Sequence, residues 1–191
     1  MYLEDWSTAE LVDPRGAVAV ESAADAVDTW VHVPRLRKVG FFSNKKPNAD
    51  AMLDQIKTSL AEIDPGLEFA YGSKEPLAEN ADQAVLASLT DCDVVFLASA
   101  ECGGCTSWVA RDYISLQRLG VPCMLIATDR FRSLAEAVLA RGGVEEPRLI
   151  VPQHPVSGIP AERAQAKIRA LMDDVATELG LNTAALVTEG R

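Results

Sequence analysis

The sequence predicts an α/β fold, a single doubly wound parallel sheet, and three observations carry that expectation. Short, nearly continuous apolar runs rich in β-branched residues recur at Val39–Ser43, Cys92–Ala100 and Val121–Thr128. Segments whose apolar residues fall at helical spacing separate them, and Gly/Pro-punctuated loops join the two kinds of element. Strands buried on both faces read as continuous apolar runs, and strict alternation with helices implies right-handed parallel crossovers. At 191 residues the chain is long enough for one such domain with a proper core.

Residues 1–37 carry the weakest pattern and are read as an N-terminal arm over a sheet edge or a partner subunit. Leu11–Gly16 is a turn signal, Ala17–Val20 a short strand, Ala23–Val31 a brief helix and Trp30–Pro34 an extended piece. His32 has no neighbour at ligand spacing and reads as a structural histidine. From residue 38 the pattern becomes regular, and 38–180 form the α/β domain. Val39–Ser43 is a core strand, and Asn44–Asn48 the loop after it. Ala49–Ile63 is a helix with Met52, Leu53, Ile56 and Leu60 on one face, stopped by Asp64-Pro65-Gly66. Leu67–Tyr71 alternates like a half-exposed strand, and Ala81–Leu89 is the next helix. After the run Cys92–Ala100, a helix begins near Ser107, with Thr106 or Ser107 offering the N-cap oxygen. Val121–Thr128 is a further strand, Phe131–Arg141 a helix closed by Gly142-Gly143, Arg148–Pro152 the last strand, and Pro160–Leu179 one long amphipathic helix. Residues 181–191 read as a tail. Five strands in this alternation take the flavodoxin-like order 2-1-3-4-5.

Composition bounds the function. The 28 acidic residues against 18 basic ones argue against nucleic acid or an anionic membrane as partner. No apolar run approaches the roughly 20 residues that span a bilayer. Met1–Asp5 is acidic and lacks a signal core, so a cytoplasmic location is expected. Four cysteines, two of them inside strands, form no disulfide framework.

In a doubly wound sheet, ligands bind beyond the carboxyl ends of the strands at the switch point. That rule gathers four loops here: Asn44–Asn48, Glu101–Thr106, Thr128–Phe131 and Gln153–Pro155. The second of them carries Cys102-Gly103-Gly104-Cys105 where a strand ends and a helix begins. Free N–H groups and the positive dipole end of a helix favour an anion, and a thiolate is one. Cys102, nearer the strand tip, is the candidate nucleophile. Cys105, three residues on, is within reach as its resolving partner. Cys92 and Cys123 read as core thiols. The same cysteine pair with His154 is also a candidate zinc or iron site with an open position, although a structural zinc site usually takes four ligands.

His154 sits between Pro152 and Pro155, and its imidazole suits proton transfer near neutral pH; a structural role is the alternative. Lys45 and Lys46 either add positive potential for an anionic substrate or are solvated. Asn44 and Asn48 are turn residues or donors to a carboxylate, and Thr106, Ser107 and Thr128 complete the candidate substrate-binding set. Arg111 and Asp112 are read as pairing locally, and Thr128-Asp129-Arg130 closes the rim. Neither G-x-G-x-x-G nor a Walker lysine motif is present, so neither a flavin nor a dinucleotide is expected.

These residues together resemble the UGSC family, named for selenocysteine-Gly-Ser-Cys. The matching segments are Val39-Gly40 with Asn44–Asp50, then Cys102–Trp108, Leu119–Pro122, Thr128 and Pro152–Pro155, spanning about residues 38 to 160. Cys102 stands where selenoprotein members carry selenocysteine, and Gly104 replaces the Ser of the name. The same order of strand, Cys-x-x-Cys turn, Gly-Val-Pro entry and His-Pro loop is similar to the selenoprotein B subunit of glycine and betaine reductases. There a selenol attacks carbon bearing an activated amine, and a partner subunit resolves the selenoether. The resemblance implies carbon–heteroatom chemistry at Cys102, without selenium and without any sign of a pyruvoyl group.

The expected protein is thus a thiol-dependent enzyme. Cys102 attacks a small, anionic electrophile, Cys105 resolves, Lys45 and Asn44 hold the substrate and His154 moves the proton. Its rivals are a plain thiol–disulfide oxidoreductase, a metal-dependent enzyme and a non-enzymatic redox-sensing subunit. The expected partners are the substrate, a reductant or partner protein, and a second copy of the chain in a homodimer.

Overall fold

The computed structural model describes residues 36–75 and 79–181. The arm elements and His32 expected within residues 1–35 lie outside the described residues, as does the tail from residue 182.

Among the described residues eleven elements follow one another: β1 (Lys38–Ser43), α1 (Ala49–Ile63), β2 (Glu68–Ser73), α2 (Gln83–Ala87), β3 (Val94–Ala100), α3 (Gly103–Arg118), β4 (Cys123–Ala127), α4 (Arg132–Arg141), β5 (Leu149–Ile150), α5 (Ala161–Arg169) and α6 (Met172–Glu178). The five strands form one parallel sheet in the order β2-β1-β3-β4-β5, the expected flavodoxin-like order. Chain direction across the sheet reverses between β1 and β3, and there the crossovers diverge to opposite faces.

Each strand of the centre supplies side chains to both faces. On one face Val39, Phe41, Phe96 and Met124 pack with Met52, Ile56 and Leu60 of α1 and Ile168, Met172 and Val175 of α5 and α6. On the other, Val95, Leu97 and Leu125 pack with Leu86 of α2, Val109, Tyr113 and Leu116 of α3 and Leu139 of α4. Burial on both faces explains why β1, β3 and β4 read as unbroken apolar runs. Gly40 keeps two strands close: a Cβ there would lie 2.8 Å from Val95 Cγ2 and 3.0 Å from Cys92 Sγ.

Strand and helix bounds shift by up to two residues elsewhere, and three departures have a clear physical cause. The helix after β3 starts at Gly103 rather than near Ser107, because the Cys102 sulfur caps it. The long C-terminal helix is two: the Leu171 N–H turns to Ile168 O instead of the carbonyl four residues back, and α6 restarts from Leu171. That tightened turn keeps Ile168, Met172 and Val175 on the sheet side. β5 pairs over only Leu149–Ile150, where the expectation ran to Pro152, a residue with no N–H to add to a ladder.

The sheet's switch point is braced by one side chain. Between Ala98 and Ala100 the β3–β4 register slips, leaving Ser99 as an extra residue, and the Ala98–Ser99 peptide is cis. Asn44, buried just beyond β1, takes both of its orphaned backbone groups: the Ser99 N–H donates to Asn44 Oδ1 at 3.0 Å and Asn44 Nδ2 donates to Ser99 O at 2.9 Å. A bulge of this kind re-aims the residues that follow it, and the next three are Ala100, Glu101 and Cys102.

Asn44→Ala strands both Ser99 groups in the core, at about 1–3 kcal/mol each. Urea unfolding is therefore expected to show a stability loss of about 2–6 kcal/mol. A midpoint equal to wild type would assign the carboxamide to ligand binding instead.

Candidate functional site

Cys102 lies at the carboxyl end of β3 as the N-cap of α3, in extended conformation (φ −138°, ψ 163°). Its Sγ accepts the N–H of Cys105 at 3.1 Å, and the N–H of Cys102 points at Cys105 Sγ at 2.8 Å. The pair thus occupies the positions of a capping box, with sulfur in place of oxygen. The Cα atoms are 5.3 Å apart, within the span of a disulfide, and the two sulfurs are joined. The two residues differ in access: Cys102 is exposed and Cys105 is buried. Gly103 and Gly104 are exposed as well, and a Cβ at either would meet nothing within 4 Å. The bare Gly-Gly turn leaves Cys102 open at the N-terminal end of α3, an end that favours anions in general.

The hydroxyls expected to cap the helix do something else. Thr106 is fully buried and donates to Cys102 O at 2.6 Å, and Ser107 donates to Gly103 O at 3.0 Å. Both bond back into their own helix.

The loop after β5 comes to the cysteine turn through Glu101. This carboxylate is buried, with Oε1 accepting the N–H groups of Val156 (2.8 Å) and Ser157 (2.7 Å) and Oε2 accepting the Ser157 hydroxyl at 2.6 Å. His154 is held on the same loop: its N–H donates to Asp129 Oδ1 at 2.8 Å, and its Nδ1 lies 3.4 Å from Thr128 Oγ1 and 4.0 Å from Glu101 Oε1. The His154–Pro155 peptide is cis, and the Phe131 ring centroid lies 5.9 Å from that of His154. Asn48, at φ +63°, sends its amide into the loop as well, to Val156 O at 2.7 Å and Ile159 O at 2.9 Å. All four predicted loops are therefore tied together at the carboxyl end of the sheet. Glu101 and Ser157 are the members that motif reading did not single out; the only trace was one acidic residue closing an apolar strand.

Lys45 is placed differently. Its ammonium bonds Asp50 Oδ2 at 2.9 Å, in the first turn of α1, and borders a cleft of about 350 Å³ with Phe41, Ser43, Tyr71 and Ser73. Burial raises the Asp50 carboxyl, but hydrogen bonds from Ser43 and Lys45 outweigh it and hold the group below the ordinary aspartate range. Neither cysteine nor His154 lines that cleft. Asp112 does not pair with Arg111, its expected local partner. It lies at 1 % side-chain exposure against Lys74 and accepts the Ala81 N–H at 2.8 Å, pinning the segment after β2 to α3, while Arg111 stacks on Trp108. Among the described residues no three His, Cys, Asp or Glu side chains are arranged to hold a metal ion, Cys102, Cys105 and His154 included. Within the same residues, no helix is long and apolar enough to cross a membrane.

The UGSC family model matches residues 10–181. The chain belongs to the UGSC family. Two solved structures are similar at low identity. NAD(P)H:quinone oxidoreductase from Methanothermobacter marburgensis has 10% identity and a TM-score of 0.41, over 74% of this chain and 100% of that one. Smu.1420 from Streptococcus mutans UA159 has 10% identity and a TM-score of 0.40, over 72% and 99%. No curated protein matches, so the resemblance to the reductase subunit stands on the motif alone.

Cys92 and Cys123 are core thiols of a different character. Burial, with Asp91 adding to it, pushes Cys92 up to about 11, and burial raises Cys123 well above the ordinary thiol range. A thiol is nucleophilic only as thiolate, so both are silent near neutral pH. After reduction, iodoacetamide labelling of the native protein followed by peptide mapping should modify Cys102 first. Cys92 and Cys123 should react only in denaturant. Early labelling of Cys92 would contradict the burial ranking.

Proposed function

We propose that this UGSC-family protein is an enzyme of thiol chemistry, with Cys102 as nucleophile and Cys105 as resolving thiol. The observation that carries the reading is the asymmetry of the pair: an exposed cysteine at a helix N-cap, backed by a buried one within disulfide reach. That arrangement supports attack by the first sulfur and release by the second.

The chemistry balances as a two-electron reduction. The Cys102 thiolate attacks a carbon or sulfur bearing a leaving group; the new bond to Cys102 forms and the leaving group departs with its electron pair. His154, on the loop tied to Glu101, supplies the proton that the leaving group takes up. The Cys105 thiolate then attacks Cys102 Sγ, forming the disulfide and releasing the reduced product, which gains a proton. A dithiol reductant from outside the chain returns two electrons to the pair.

The helix end and the bare Gly103-Gly104 turn favour a small anionic electrophile. Lys45 contributes less to that preference than its sequence position implies, because its charge is balanced by Asp50. Plain thiol–disulfide exchange is the second reading, favoured by the joined sulfurs.

Iodoacetate, an anion, and neutral iodoacetamide provide the direct probe. The reduced protein is expected to raise the iodoacetate-to-iodoacetamide rate ratio several-fold over free cysteine; a ratio below that of free cysteine would remove the anionic-substrate part of the proposal. With dithiodipyridine as generic disulfide, Cys105→Ser should accumulate a mixed disulfide on Cys102 by intact mass, whereas Cys102→Ser should form none at residue 105 in the native state. Equal labelling of the two variants would overturn the division of roles.

A further inference from the structure

Glu101 stands one residue before the candidate nucleophile, and its carboxylate reaches the loop that carries the candidate proton carrier. Its three hydrogen bonds come from Val156 and Ser157, none from His154 itself. Such a set of bonds fixes the loop, yet a neutral acceptor would fix it equally well. Charge is what distinguishes the position. Glu101 Oε1 faces His154 Nδ1 at 4.0 Å, and Thr128 Oγ1 lies 3.4 Å from the same nitrogen.

A carboxylate attracts an N–H and repels a nitrogen lone pair at that range, and this carboxylate is itself buried. Thr128 is fully buried, and its hydroxyl can rotate to accept as readily as to donate. The carboxylate therefore favours the tautomer with hydrogen on Nδ1, and the hydroxyl accommodates it. No partner for Nε2 is found among the described residues, and the imidazole is 33% exposed. We infer that Glu101 is a positioning residue that holds neutral His154 in the Nδ1–H form and leaves the Nε2 lone pair as proton acceptor. The catalytic meaning of this rests on the thiol reading above: His154 then acts first as a base, taking the proton of the attacking thiol, and afterwards returns it to the leaving group. The tautomer itself does not depend on that reading.

Two-bond ¹H–¹⁵N correlation spectra of the labelled full chain, at a pH where the imidazoles are neutral, read the tautomer directly. The chain holds only two histidines, so a His32→Gln variant assigns the His154 signals. The wild type is expected to be dominated by the Nδ1–H pattern. Glu101→Gln retains an acceptor for the Val156 and Ser157 N–H groups but removes the charge, and should move the population several-fold toward Nε2–H. Ser157→Ala removes one loop hydrogen bond, keeps the charge and should leave the tautomer as in wild type. A wild-type spectrum dominated by Nε2–H overturns the inference even if the Gln variant fails to fold. So does a Glu101→Gln spectrum with an unchanged ratio. Cys102→Ser should show the wild-type tautomer, so failure of the thiol chemistry and failure of the histidine assignment are separate results.

Discussion

The paired hydrogen bonds between the Asn44 carboxamide and the Ser99 backbone are the constraint on which the site depends. They sit at the point where β1 and β3 part and the crossovers turn to opposite faces. A residue has been added to β3 there, and without Asn44 its N–H and C=O would be left bare inside the protein. With them satisfied, the strand ends in a fixed direction. Glu101 is delivered to the loop after β5, and Cys102 to the start of α3. The cysteine turn is thus anchored to the sheet by the loop of a neighbouring strand rather than by its own sequence.

Much of the architecture was legible because its causes are local. Burial on both faces leaves continuous apolar runs, helices on a packed sheet leave a period near 3.6, and alternation of the two fixes a parallel sheet. The convergence of Asn44–Asn48, Glu101–Thr106, Thr128–Phe131 and Gln153–Pro155 follows from that topology. What failed to show in the sequence depends on partners far away or on unusual chemistry. Asp112 looked local because Arg111 adjoins it; its partner Lys74 is 38 residues distant. Glu101 reads only as the first residue of a loop, since the N–H groups it accepts lie 55 and 56 residues further on. The start of α3 was displaced because a Gly-Gly pair reads as a turn and sulfur is not among the usual capping groups.

The same geometry divides the expected substrate-binding residues into two kinds. Asn44, Asn48 and Thr106 give their side-chain hydrogen bonds to backbone, so their first duty is to the shape of the site. Thr128 and His154 face one another with the imidazole partly open, and Cys102 is exposed on another loop of the cluster. Polar groups fixed by the fold in a loop cluster that also carries an exposed cysteine give a preorganised setting, in which little has to reorganise when charge moves.

The most direct measurement is the pH dependence of iodoacetamide modification of Cys102 in the reduced protein, beside a Cys102-containing peptide of the same sequence. A thiolate stabilised at the N-cap of α3 predicts a midpoint below that of the peptide, with the difference lost on unfolding in urea. A midpoint equal to or above that of the peptide would contradict a helix-activated nucleophile.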